Sequence, residues 1–292
     1  MGTGRKTALA IVVIAEILTL VAIVLVFRTG MGGGWHWSWV GWLGGFGPQA
    51  QEERVISLDA PTGPLRIYNN RGKIRVTSSA APAVARALVY GFGTNKAAAE
   101  ASLSTVEITT TADEAGTIIT VNAPTGGGRM PYADIEVVVP LDAQVIAEAR
   151  MGNVEVRDFA GTIRVVANMG RVDMDHVQGN IDVHANMGSV DLREVFIQDS
   201  LQVDADMGSI TFRGTLGKEN AFEANMGGIS LRLADDHPAM TLDAGWSMGS
   251  FSNRLPFSGT LSDKRAVGTL GSGDVVVGDL RIRADMGNIS IR

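Results

Sequence analysis

His176 and His184 stand eight residues apart, in a stretch that also carries Asp173, Asp175 and Asp182. Imidazoles and carboxylates at such range are the groups that hold a metal ion or pass a proton. In an alternating segment, however, carboxylates at every second position are what an outward strand face carries. The other two histidines stand apart: His36 lies among tryptophans, and His237 in DDHP, which reads as a turn. The run GSGDVVVGD from Gly271 has the form of a Ca²⁺-binding nonapeptide, but it occurs once, without the recurring Asp. GTGRKT near the start lacks the preceding strand and the spacing of a phosphate loop. The chain has no Cys, so thiolate metal sites, Cys nucleophiles and disulfides are excluded. These residues point to no catalytic centre, no metal site and no cofactor.

A different pattern is more regular. Met-Gly recurs at Met151, Met169, Met187, Met207, Met226, Met248 and Met286, with Ser272-Gly273 as a degenerate copy. The sixth residue after Met is Arg in nearly every copy: Arg157, Arg193, Arg213, Arg232, Arg254 and Arg292, with Asp175 the exception. Two positions earlier stand Glu155, Asp173 and Asp191, then Thr211, Ser230, Ser252 and Ser290. If the copies stack, acid gives way to hydroxyl along an arginine column. Arg213, Arg232, Arg254 and Arg292 then form a binding strip for an acidic partner, headgroup or glycan. The plainer alternative is a solvated, edge-protecting face in which Arg and acid neutralise each other.

The elements that position these residues follow from the repeat. Spacings of 18 to 24 residues between copies mean a solenoid or a regular β array. Period-2 pairs follow each copy, such as Val154/Val156, Val172/Met174 and Ile210/Phe212, which predicts strands with one buried face. Gly161, Gly170, Gly179 and Gly188 fall at a half-period of nine, the spacing of turns that need positive φ. Ala149, Ala167, Ala185, Ala205, Ala224 and Ala284 precede the motif by two and suit a tight corner. Met is expected to fill an irregular gap at the turn. Asn168, Asn186 and Asn225, with Asp206 and Asp285, are expected to form a polar ladder beside it. The prediction is an all-β ectodomain built as a β-solenoid (β-helix-like); an antiparallel meander is the competing arrangement. GPLRIYNNRGKIRVTSS predicts two strands about Arg71-Gly72, and STVEITTTADEAGTIITVNA a hairpin about Glu114-Ala115-Gly116. Only NKAAAEASLS, residues 95 to 104, reads as helix.

The order LRIYNNRGKIRVTSS, then YADIEVVVPLDAQVIAEARMGNVEV, then repeated G-x-I-x-V units resembles the bacterial putative-adhesin β-strand-repeat family, a domain family of unknown function. The similarity spans roughly residues 55 to 292. It implies a single-stranded β-helix fold and an extracytoplasmic place, and it implies no activity. The Met-Gly form departs from that family's Gly-only pattern.

The N-terminus sets the location. Ala8 to Phe27 is an apolar run of 20 residues, about 30 Å as a helix, enough to cross a hydrocarbon core. Arg5 and Lys6 precede it, and after Arg28 no Lys or Arg appears until Arg54, which favours the N-terminus inside. A cleaved signal peptide would have a shorter apolar region and an A-x-A site. The chain is therefore read as a single-pass protein of a bacterial cytoplasmic (inner) membrane. An anchor occupies residues 1–28, a Gly/Trp-rich interfacial linker 29–52, and a periplasmic solenoid 53–292. Glu16 is costly in mid-membrane, so it is either a tolerated, protonated carboxyl or a contact to a second helix. Trp35, Trp37, Trp39 and Trp42 suit the membrane–water interface or a partner's surface. The expected partners are membrane lipids and a membrane protein. The net charge of −6 argues against nucleic acid.

The leading functional expectation is a non-catalytic, membrane-anchored scaffold or binding protein, an accessory subunit of a larger membrane complex. The alternatives are a β-helix protein that binds or modifies cell-envelope polysaccharide, and an envelope sensor, whose cytoplasmic part would be only seven residues. The last strand, Asn288 to Arg292, is expected to leave an edge that a cap or partner must cover. Replacing Trp35, Trp37, Trp39 and Trp42 with Ala, or Glu16 with Leu, should release the protein from its complex in mild detergent while leaving it in the membrane. Unchanged co-purification in both variants would refute the docking role.

Overall fold

The computed structural model describes residues 50–292 apart from 59–62, 115, 127–128, 235–236 and 273–274. The expected anchor helix, Glu16, Trp35, Trp37, Trp39 and Trp42 lie outside the described residues. Among those described, no helix is long and apolar enough to cross a membrane. They are nearly all β, with one α-helix, Lys96–Leu103, in the Ala-rich segment that predicts it. The Asn95 side chain caps that helix by accepting the Ala98 N–H at 2.9 Å.

Three strands, Val154–Met169, Val172–Met187 and Val190–Met207, correspond to one repeat each. They pair in parallel with like residue over like: Val172 lies between Val154 and Val190, and Ala185 between Ala167 and Ala205. Parallel pairing of these repeats rules out the meander. The fifth residue of each strand takes the left-handed conformation and bends it: Asp158 (φ 46°), His176 (φ 55°) and Glu194 (φ 52°). Later repeats are split into two strands further along, as in Ile210–Thr215 followed by Glu219–Met226, where the break at 216–218 stands opposite residues 197–199. The predicted alternation places Val154, Val172, Val190, Ile210, Ile229 and Ile289 in one buried column. Each such side chain contributes about 1.5–3 kcal/mol by leaving water.

At the Met-Gly corner the backbone ladder does not break. The N–H groups of Gly152, Gly170, Gly188 and Gly208 donate to the carbonyls of Met169, Met187, Met207 and Met226, each at 2.9 Å. Gly188 has φ 149°, and a Cβ built there would lie 1.9 Å from the Gly170 carbonyl oxygen. The glycine is thus required twice, by its dihedral and by the approach of the next backbone. The Ala two residues before Met is buried in six copies, with Trp246 in its place before Met248, and the polar ladder forms as expected: Asn186 donates to Asn168 at 3.0 Å and Asn225 to Asp206 at 2.8 Å. Met does not fill a gap. Met169, Met187, Met207, Met226, Met248 and Met286 are exposed, because the turn at Gly carries the preceding side chain outward.

Spatial order departs from chain order at both ends. The final repeat, Val276–Met286 with Ile289–Ile291, is not terminal in the stack. It is inserted between Glu219–Met226/Ile229–Leu233 and Ala239–Met248/Phe251–Asn253. The expected open edge at Asn288 to Arg292 is therefore absent, because both flanks of Ile289–Ile291 are paired. Likewise Leu65–Asn69 lies between Gly116–Asn122 and Ala143–Met151, and Ile74–Ser79 between Tyr132–Pro140 and Val154–Met169. Antiparallel strands close the stack. Val84–Gly91 and Ala50–Ser57 add to Tyr132–Pro140, and Glu107–Asp113 folds onto Gly116–Asn122. At the other end the hairpin Phe257–Leu261/Arg265–Leu270 covers Ala239–Met248. Ser272, expected as a degenerate corner, lies instead in the connection leaving that hairpin.

Buried polar groups mark the irregular places. Asn70 and Ala123 exchange two hydrogen bonds of 2.7 and 2.8 Å, and Asn220 donates to the carbonyls of Gly217 and Asp279. Asp243 ties the inserted repeat to the capping hairpin. It accepts from Arg265 at 2.9 and 3.1 Å and from Arg283 at 2.6 Å. Hydrogen bonds from Arg265 and Arg283 lower its pKa from 3.8 to about 2.

Two outcomes follow. Gly188→Ala should cost about 3 kcal/mol in denaturant unfolding. Gly126→Ala should stay within about 0.5 kcal/mol, since its Cβ meets only the end of the Met130 side chain. Because the folded pKa of Asp243 is depressed, its stabilisation is full above 3.8 and fades as pH falls toward about 2. The wild-type melting temperature should therefore fall more steeply across that window than that of Asp243→Asn.

Candidate functional site

The register decides which arginines meet. Arg213 and Arg232 lie directly opposite on adjacent repeats. The ladder continues from Leu233 N–H to the Arg292 carbonyl and from Arg254 N–H to the Ile291 carbonyl, both at 3.0 Å. Arg213, Arg232, Arg292 and Arg254 therefore occupy four neighbouring rungs in that order, about 4.8 Å apart. All four are exposed. Among the described residues, none of the four side chains has a hydrogen-bonding or ion-pair partner. Thr211, Ser230, Ser290 and Ser252 form the neighbouring outward column, in matching register.

The other end of the same face is neutralised. Glu155 lies 2.8 Å from Lys73 Nζ, 2.9 Å from Arg75 Nη2 and 3.7 Å from Arg157 Nη2. Burial opposes its charge, but the hydrogen bonds from Lys73 and Arg75 outweigh this and hold its pKa below the ordinary range. Arg171 bridges Asp173 at 2.6 Å and Asp191 at 2.9 Å, and Arg193 lies 3.9 Å from Asp191. The face thus changes from paired charge to unpaired Arg at Arg213, where Thr211 replaces the acid.

The histidines are separated. His176, at the left-handed bend, lies 2.8 Å from Glu194 and 3.4 Å from Asp175. His184, on the following limb, lies 3.2 Å from Asp182 and 3.0 Å from Asp204. Asp173 belongs to Arg171, so the five residues do not converge. Among the described residues no group of three His, Cys, Asp or Glu could hold a metal. The His237 backbone N–H donates to the Ala234 carbonyl at 3.0 Å, and Asp235 and Asp236 of the expected turn lie outside the described residues. Asp274 of the GSGDVVVGD run lies outside the described residues.

Sequence reasoning missed a groove of about 800 Å³ that crosses several repeats and is lined by residues including Gln144, Asn180, Gln202, Arg164 and Asp182. These positions are the outward ones of successive limbs. Their types vary from copy to copy, so no recurring residue announces the groove.

No family model matches the chain, and no curated protein matches it. Several solved structures are similar over most of their length, among them the following three. A putative adhesin from Bacteroides fragilis shares 10% identity, covering 85% of this chain and 100% of that one, with a TM-score of 0.44. A putative cell adhesion protein from Clostridium sporogenes shares 10%, covering 83% and 99%, with a TM-score of 0.37. A putative lipid binding protein from Parabacteroides distasonis shares 12%, covering 83% and 96%, with a TM-score of 0.29.

Proposed function

We propose that the chain is a non-catalytic, extracytoplasmic binding scaffold. It is a single-stranded β-solenoid of the adhesin-like kind, held at a bacterial cytoplasmic membrane by its N-terminal helix and Trp segment, beside a membrane-protein partner. The observation that carries the reading is the strip of Arg213, Arg232, Arg292 and Arg254, in register and unpaired. Like charges on facing positions add nothing to folding, and their repetition offers an external anion several guanidinium groups at once. Guanidinium groups take phosphate or carboxylate in paired hydrogen bonds, and the Ser and Thr hydroxyls beside them add donors. A row of such sites fits an anionic polymer or a surface of anionic headgroups. Glu155 and Asp243 are held ionised by their Lys and Arg partners and serve the fold as structural ion pairs.

The groove favours a second reading, the binding of a neutral polysaccharide through Gln144, Asn180 and Gln202. Titration of the full chain with polyphosphate and with a neutral glucan separates the two. For the strip, Arg232→Gln/Arg292→Gln should weaken polyphosphate binding at least tenfold and reduce the slope of log affinity against log salt by about 1.5. Full affinity in the double variant, or tight binding of the glucan alone, would refute the anionic reading.

A further inference from the structure

The exposed methionines form a column of their own. Met151, Met169, Met187, Met207, Met226, Met286 and Met248 follow one another in that spatial order, each opposite the next. Seven of the chain's 12 methionines are in it. Met151 is half-buried, and the other six are between 41% and 61% exposed, whereas Met174 and Met240 are core residues at 0%. The column is therefore not serving as hydrophobic filling.

The corner itself does not require Met. Gly72 donates to the Met151 carbonyl at 2.9 Å, as Gly152 does to that of Met169, so Arg71 occupies the corresponding corner. The neighbouring columns also vary. The residue before Met is Arg150, Asn168, Asn186, Asp206, Asn225, Asp285 or Ser247 along the stack, and the residue after Gly varies as freely. Met is constant among positions that change, at a place where backbone geometry accepts a different side chain. That constancy needs a property of Met itself, and its distinctive property outside a core is the soft, polarisable thioether.

From this ladder we propose a binding site for a soft monovalent cation of the Cu(I) class, held by three thioethers from adjacent rungs. Thioether sulfur is a poor ligand for Mg²⁺ and Ca²⁺ and selects Cu(I). Three rungs span on the order of 10 Å. A Met side chain has three rotatable bonds, so the outer two can lean onto the middle one without backbone movement. Thioethers are neutral and leave the ion's charge uncompensated. Asp206 and Asp285 supply negative charge beside Met207 and Met286, whereas Arg150 stands beside Met151. The site therefore belongs to the run Met207, Met226, Met286, Met248.

The test uses the full chain in detergent, with Ag(I) as a redox-inert probe and methyl-labelled methionine observed by NMR. Ag(I) should shift the methyl signals of Met207, Met226, Met286 and Met248. Two triple variants remove equal numbers of thioethers. Met187→Leu/Met207→Leu/Met226→Leu leaves no three adjacent rungs and should weaken binding at least tenfold. Met151→Leu/Met169→Leu/Met187→Leu leaves four adjacent rungs beside both carboxylates and should bind within about threefold of wild type. Equal effects of the two variants would overturn the proposal. So would wild-type affinity no greater than that of free methionine, or shifts confined to Met1, Met31, Met130, Met174 and Met240.

Discussion

The surface columns of the described repeats follow from the uninterrupted hydrogen-bond ladder at the glycine corner. Ordinary parallel strands stop pairing where they turn. Here the turn itself is paired, from Gly72 through Gly287, by N–H to carbonyl bonds of 2.8–2.9 Å. The cost is that no Cβ fits, since the carbonyl oxygen of the adjacent corner fills its place at about 2 Å. The gain is register. With corners locked one over another, each residue sits on its counterpart in the adjacent repeat, and a slip would drive backbone into backbone.

Locked register turns a one-dimensional repeat into continuous columns. Apolar columns become the core, and Ala at the corner lets the chain turn close to it, with Trp246 the one large exception, stacked on Phe251 at 5.2 Å. Charged columns are less forgiving. Two guanidinium groups about 4.8 Å apart repel by roughly 0.9 kcal/mol in bulk water, less once salt screens them. That is small beside the 1.5–3 kcal/mol from each buried Val or Ile. The fold therefore tolerates the Arg213–Arg232–Arg292–Arg254 row without a carboxylate, while the fields of the four charges add along its length.

What was legible in the sequence was whatever the corner dictates locally: the glycines, the preceding alanines, the alternation, the Asn ladder, and the change from acid to hydroxyl beside Arg. The expectation that Met fills a gap failed because the corner interrupts the alternation that, from Ala167, would place Met169 inside. At the histidines, the left-handed conformation of His176 parts it from His184, and each ring faces its own carboxylates. Local reasoning could not order the repeats. The alternating residues of Val276–Met286 fit any rung equally well, so nothing local says that this segment belongs beside Glu219–Met226. The groove was invisible for the converse reason, since its lining shares position but not residue type.

The insertion of the last repeat changes how the stack is closed. In the middle, partners such as Ala167 and Ala185 are 18 residues apart, whereas Ala224 and Ala284 are 60 apart. Loop-closure entropy grows only logarithmically with length, so this longer closure adds about 1 kcal/mol. In return, the segment 239–270 is held outside the inserted repeat and can fold back as an antiparallel hairpin over the final Met-Gly limb. A stack built in chain order would have ended on the Val276–Met286 limb, with its parallel edge open to a second copy. Asp243 makes the arrangement specific, because only the inserted order places it between Arg283 of the last repeat and Arg265 of the hairpin. The same insertion brings Arg292 between Arg232 and Arg254 and Met286 between Met226 and Met248. The device that closes the fold thus also makes its two most regular surface columns continuous.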